Sequence, residues 1–283
     1  MTAALRLTLI GAAAVCSGAS WRALRRTPLV LAPTWLRSNY RGRNVSLLGG
    51  PVVVVTALAG CVAAAALGTA ATRRTAIACV VALAAAGAAG IYDDLRGDDG
   101  TRGLAGHLSA LLRGRPTSGA LKVGALAASG LGAAVIMSRG LSWRALADGA
   151  LIAASANLTN LFDLRPGRAG KLAAAGFAVV LGIGSAAIAP IAWCAGAALG
   201  TLPGDVREEL MLGDGGANAV GAALGVGLVV VLSQPARVVV LCTLVCLTLL
   251  SEKVSFSRVI DRSPPLRWLD GLWRADGERP AAA

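Results

Sequence analysis

Asn157, Asn160 and Asp163 stand at i, i+3 and i+6 where a long apolar run ends, in the stretch Asn157-Leu158-Thr159-Asn160-Leu161-Phe162-Asp163-Leu164-Arg165-Pro166-Gly167-Arg168-Ala169-Gly170-Lys171. On a helix this spacing makes one polar stripe. Polar groups are costly in hydrocarbon, so such a stripe faces a protein interior or a wet cavity. Pro166 and Gly167 stop the helix. Arg165, Arg168 and Lys171 then form a cationic cluster suited to phosphate. The stretch reads as half of an active site at the cytoplasmic face of a membrane. The plainer reading is a helix end with snorkelling cations.

Two further acidic sites end or open apolar runs. Asp93-Asp94 closes one, and Asp214 opens another inside Leu212-Gly213-Asp214-Gly215-Gly216-Ala217-Asn218. Adjacent carboxylates at a helix C-terminus repel each other and oppose the helix dipole, so a nearby cation is expected. Mg²⁺ is the economical choice, because it takes one or two carboxylates and leaves its other positions to water and phosphate. Around Asp214, the glycines let backbone approach a ligand, and the helix N-terminus favours phosphate. Gly213 and Asn218 flank that position. Asp94 also has a plainer reading as a solvated loop acid, like Asp98 and Asp99. The single histidine, His107, sits near Arg102 in a loop. A lone histidine is more often structural, yet Arg102 and His107 also suit a phosphate or lipid headgroup.

The elements that must position these residues are apolar helices. Of 283 residues, 55% are hydrophobic and 15% charged, with mean hydropathy +0.67. The charged share is far below the roughly 25% of a soluble domain. The charge-free runs are long and do not alternate, which excludes a transmembrane barrel and points to an all-α polytopic membrane protein. About nine spans are expected: 3–20, 51–70, 75–92, 120–138, 145–163, two short ones across 172–204 divided at Pro190, 216–233 and 238–251. Residues 1–251 then form the transmembrane unit, and 252–283 a basic cytoplasmic tail. In that tail, Leu266, Leu269, Leu272 and Trp273 mark a short helix lying on the inner leaflet.

Net charge is +12, from 27 Lys and Arg against 15 Asp and Glu. No nucleic-acid motif is present, and the basic residues sit in short loops, so orientation explains them. With the N-terminus outside, twenty-one basic residues fall inside. Arg73, Arg74, Arg139, Arg144 and Arg237 fall outside, and Arg6 lies at the external terminus. The C-terminus is then cytoplasmic, and all three acidic sites share the inner face. The six cysteines all lie in apolar runs and read as small buried hydrophobes rather than zinc ligands.

In this order the motifs resemble the polyprenyl-phosphate N-acetylhexosamine-1-phosphate transferases, the family that includes phospho-N-acetylmuramoyl-pentapeptide transferase. Gly49-Gly50, Gly90-Ile91-Tyr92-Asp93-Asp94, Asn157-x-x-Asn160-x-x-Asp163 and Leu212-Gly213-Asp214-x-Gly216 are similar to that family's signatures. The likeness spans about residues 1–250. It implies a multi-pass enzyme of the plasma (inner) membrane that moves a sugar-1-phosphate from a nucleotide sugar, UDP-linked in this family, onto polyprenyl phosphate. It implies Asp93 and Asp94 at the lipid phosphate, Mg²⁺ on Asp214 with Asp94, and Asp163 with Asn157 and Asn160 at the nucleotide sugar. A homodimer is a further expectation.

The chain departs from the family in two places. The family's Asp-Gly-x-Asp-Gly is here Asp163-Leu164-Arg165-Pro166-Gly167, and its last cytoplasmic loop carries clustered histidines where this chain has Glu252 to Arg262 with none. Nine spans are expected here against the family's ten. Arg165, Arg168, Lys253, Arg258 and Arg262 offer cations for a diphosphate instead. Two rival readings stay open: a non-catalytic relative that binds polyprenyl phosphate or a membrane partner, and a transporter.

Overall fold

A computed structural model describes residues 1–96, 113 and 117–274. The described residues hold eleven α-helices. Nine are long: α1 Ala3–Leu24, α2 Gly49–Leu67, α3 Ala70–Arg96, α4 Ser118–Ser138, α5 Trp143–Leu161, α6 Arg168–Ile183, α7 Ala189–Val206, α8 Gly213–Val231 and α9 Gln234–Ser251. Two short ones follow, α10 Phe256–Arg262 and α11 Pro264–Gly271. Six helices, α1 to α4, α8 and α9, are long and apolar enough to cross a bilayer. The nine expected spans thus correspond to nine helices, of which α5, α6 and α7 fall short in length or apolarity. α6 has only 16 residues, and α5 carries Arg144, Asp148 and both asparagines.

The core helix is α8. Fifteen of its 19 residues are buried, and it is apolar on every face, as a central helix must be. It packs against α3 and α5 most extensively, and also against α2 and α6. Alanine and glycine on these helices bring the backbones close, since dispersion replaces the hydrophobic drive between helices in lipid. α9 is the opposite case: none of its residues is buried. A face such as Val239, Val245 and Leu249 exposed on a protein of this composition is a lipid-facing surface.

The boundaries differ from the sequence expectation where turns intervene. α5 ends at Leu161, before Pro166, and Gly167 at φ +71° caps the start of α6 instead. Asp163 therefore lies in the turn beyond α5 and leaves the stripe that Asn157 and Asn160 begin. Pro190 sits in the first turn of α7, where its missing N–H costs nothing, so it does divide the 172–204 run. The cysteines are not all buried: Cys16, Cys242 and Cys246 face outward, because the helix faces that carry them meet no other helix.

The loop between α1 and α2 holds a two-stranded hairpin, β1 Leu36–Ser38 paired antiparallel with β2 Asn44–Ser46. The Met211 amide donates to the Ser46 carbonyl at 2.8 Å, and Asn39 Nδ2 to Glu208 Oε2 at 2.8 Å. These bonds tie the hairpin to the α7–α8 loop, at the end of the bundle where the acidic residues gather.

Candidate functional site

The C-terminus of α3 meets the N-terminus of α8 because Gly90 has no side chain. A Cβ there would collide with the Asp214 carbonyl. That contact lets Asp94 cap α8 from outside the helix. Its Oδ1 accepts the Asp214 amide at 3.0 Å and its Oδ2 the Gly215 amide at 3.0 Å. Two of the four orphan donors of the helix are thereby satisfied, with the carboxylate at the favourable end of the dipole. The expectation that this N-terminus is free for phosphate is corrected: Asp94 takes the place of the anion. Asp94, expected as a metal ligand, has both oxygens engaged by these amides. Gly213 holds φ +61°, and a Cβ on it would stand 2.7 Å from Asp94 Oδ2.

Lys122, in the second turn of α4, supplies the cation that the paired carboxylates require. Its Nζ donates to Asp93 Oδ2 at 2.7 Å and to Asp214 Oδ2. Sequence reasoning passed over Lys122. The signal was available: it is the one charge in an apolar run from Leu121 to Met137, where an ionisable group needs a partner.

Asp163 joins the same cluster from the α5–α6 turn. The Gly213 amide donates to its carboxylate. Its Oδ2 is sealed from solvent and has no partner among the described residues. Burial pushes the Asp163 carboxyl well above the usual carboxylate range, and the neighbouring Asp205, Asp214 and Asp94 push it further. Asp205, at the end of α7, is the fifth carboxylate and was missed. It is 2% exposed, and its Oδ2 also lacks a partner. Pro203-Gly204 before it marks a helix end, but nothing local shows that Asp205 points inward.

Asp163 and Asp205 line a cavity of about 340 Å³ with Tyr40, Arg165 and Glu208. The Arg165 guanidinium lies 4.2 Å from the Tyr40 ring centre and pairs with Asp261 at 3.5 Å. Arg37 of β1 donates to the Asp94 carbonyl at the rim.

The remaining expected residues divide into three groups. Asn157 reaches Thr248 of α9 at 3.4 Å, and Asn160 is half-buried one turn further on. Asn218 is fully buried one turn above Asp214 on α8, with neither amide atom bonded. Arg168 and Lys171 are engaged by the C-terminal arm instead of standing free. Arg168 clamps Asp270 with two bonds of 2.8 and 2.7 Å and also reaches Ser257 at 2.8 Å. Lys171 donates to the Asp270 carbonyl at 2.5 Å. Cations in the first turn of α6 oppose its dipole, and Asp270 offsets that. Lys253 and Arg258 are exposed, and their side chains bond no described residue. Arg102 and His107 lie outside the described residues.

Among the described residues, two sets of side chains offer donors to a cation. Cys61, Cys79 and Cys194 bring three thiols within 4.8 Å of one another in the apolar core, a soft set unsuited to Mg²⁺. The oxygen donors are Asp163 and Asp214. They suit a hard cation that takes one or two carboxylates, and the unbonded Asp163 Oδ2 is a donor with no other use. Among the described residues, Lys122 bonds Asp93 and Asp214, while Asp205 is offset by Lys171 and Arg274. No protein-family model matches the chain, and no curated protein matches it.

Proposed function

We propose that this protein transfers a sugar-1-phosphate, or a related phospho-group, from a nucleotide sugar to polyprenyl phosphate at the cytoplasmic face of the plasma membrane. The observation that carries this reading is the convergence of Asp93, Asp94, Asp163 and Asp214 at one end of the bundle, where Lys122 bridges Asp93 and Asp214. The motif order resembles the polyprenyl-phosphate transferases, and the positive-inside asymmetry assigns that end to the cytoplasm. The full reading has nine spans with the N-terminus outside.

In this account Asp214 and Asp163 hold Mg²⁺, which when bound offsets the charge of the diphosphate. Asp94 positions Asp214 through the helix amides. Lys122 places one positive charge where two anionic substrates must meet. An oxygen of the lipid phosphate attacks the phosphorus that carries the sugar. The bond from that phosphorus to the bridging oxygen breaks, and the nucleoside monophosphate leaves with that oxygen. Asp93 takes any proton left on the attacking phosphate. The 340 Å³ cavity beside Asp163 has room for part of the nucleotide, with Tyr40 as a flat wall.

The test is a screen of nucleotide sugars for UMP release by the purified protein with undecaprenyl phosphate and Mg²⁺. Asp214→Asn abolishes release, and Lys122→Met lowers kcat by about 10²-fold, the scale of one lost electrostatic contact. Product formation that survives Asp214→Asn overturns the assignment. A second reading, a non-catalytic relative that binds polyprenyl phosphate, is favoured by one observation. Arg168 and Lys171, the expected diphosphate cations, are already paired with Asp270 and its carbonyl. It predicts lipid-phosphate binding without release of nucleotide from any donor.

A further inference from the structure

The other end of the bundle holds a second polar cavity, of about 800 Å³, between the first turns of α3, α5 and α9 and the last turns of α4 and α8. It lies on the far side of the molecule from the carboxylates, because α3 runs from Arg74 at this cavity to Asp94 at the other site. Twenty residues of helix separate the two, about 30 Å. The positive-inside pattern leaves five arginines at or near helix ends on this side, and three of them, Arg74, Arg144 and Arg237, line this one cavity.

The three differ in their state. Arg237 is fixed: Nη1 donates to Asp148 Oδ2 at 2.8 Å and to Gln234 Oε1 at 3.3 Å, and Nε donates to the Leu232 carbonyl at 3.0 Å. Asp148 neutralises it. The guanidinium groups of Arg74 and Arg144 make no ion pair or hydrogen bond with any described residue, and Arg144 only rests over Trp143 at 5.6 Å. Two positive charges therefore face the cavity without a counter-charge. Two buried polar atoms in its wall also lack partners, Asp148 Oδ1, on a residue only 5% exposed, and Gln234 Nε2. The first needs a donor and the second an acceptor.

We propose that this cavity is a binding site for a phosphate ester, separate from the acidic cluster. Arg74 and Arg144 grip the phosphate oxygens, the geometry in which guanidinium surpasses ammonium. Gln234 Nε2 donates to the same anion, and Asp148 Oδ1 accepts from a hydroxyl on the esterified group. The volume fits this, since a bare phosphate would leave most of 800 Å³ empty. The chemistry is shared by an anionic lipid headgroup such as phosphatidylglycerol and by a soluble phosphate ester. Trp143, 63% exposed at the rim, is a residue type that marks the membrane–water boundary.

The experiment uses the full chain and the R74Q/R144Q variant, with R74K/R144K as the charge-retaining control. One arm counts phosphatidylglycerol retained by native mass spectrometry from phosphatidylglycerol or phosphatidylcholine nanodiscs. The other titrates glycerol 3-phosphate and inorganic phosphate by calorimetry in neutral detergent. Retention of phosphatidylglycerol, weakened about ten-fold or more in R74Q/R144Q and largely kept in R74K/R144K, identifies a headgroup site. Glycerol 3-phosphate binding with the same pattern and no lipid retention identifies a soluble ester. No binding in either arm, or equal binding by all three proteins, overturns the proposal. Neither arginine bonds the fold together, so R74Q/R144Q is expected to melt with the parent. If it does not, R144Q alone, at an exposed side chain, carries the comparison.

Discussion

At the scale of single residues, the candidate site is governed by who satisfies each charge. Asp163 is the most exposed to this logic, because it sits among Asp205, Asp214 and Asp94 with one oxygen sealed and unpaired. Its folded-state pKa is raised above the ordinary value near 3.9. The folded protein therefore holds a proton that the unfolded chain releases, and stability falls as pH rises from about 4 toward the raised value. Asp163→Asn removes that titration. Melting curves by tryptophan fluorescence across this pH range should show a flatter pH dependence for Asp163→Asn than for the parent. A parallel fall in both proteins would contradict the burial argument. The same substitution should abolish nucleotide release, since asparagine is a poorer ligand for a hard cation.

At the scale of elements, two contacts set the site. The first is the crossing of α3 and α8 at Gly90. A side chain there forces the helices apart and withdraws Asp94 from the amides of Asp214 and Gly215. Gly90→Val should cost at least the roughly 1–3 kcal/mol of an overpacked core, read as a lower melting temperature in detergent. The second is the C-terminal arm, where α11 presents Trp268 and Leu269 outward and turns Asp270 in against Arg168. Burial pushes the Asp270 carboxyl up, but the hydrogen bonds and charge of Arg168, with Arg274 and Lys171, hold it below the usual range. Its contribution is thus complete above the unfolded pKa near 4 and is lost as pH falls below that. Both partners are buried, so Asp270→Asn leaves Arg168 uncompensated at a cost of about 3–5 kcal/mol. Limited proteolysis should cut near Ser255 faster in Asp270→Asn at pH 7, and in the parent only below about pH 4.

At the scale of the whole molecule, charge is sorted between the two ends. Acidic clusters and most basic residues gather where α3 ends and α8 begins, and the opposite end carries the arginine cavity. The proposed orientation predicts a sidedness that reporters can read. Alkaline phosphatase inserted at Gly140 should be active, and a green fluorescent protein fused after the last residue should fluoresce, because the first folds only outside and the second inside. The reverse result would place the carboxylates outside and remove nucleotide sugars as substrates.

Hydropathy and spacing alone determined the class, an all-α chain with long apolar helices, the break at Pro190, and the three acidic positions. Those properties are local, since burial in lipid and helix periodicity act over one or two turns. The shared location of the acids was also legible, through charge asymmetry between loops. Tertiary structure decided the partners. Lys122 meets Asp93 across 29 positions and Asp214 across 92, Arg168 meets Asp270 across 102, and Asp94 caps a helix 120 positions away. Ion pairs over such distances depend on which helix ends the packing brings together, and no periodicity records that. The small residues that permit the packing, Gly90 above all, carry no charge and no moment of their own, so their consequence emerges only when two helices touch.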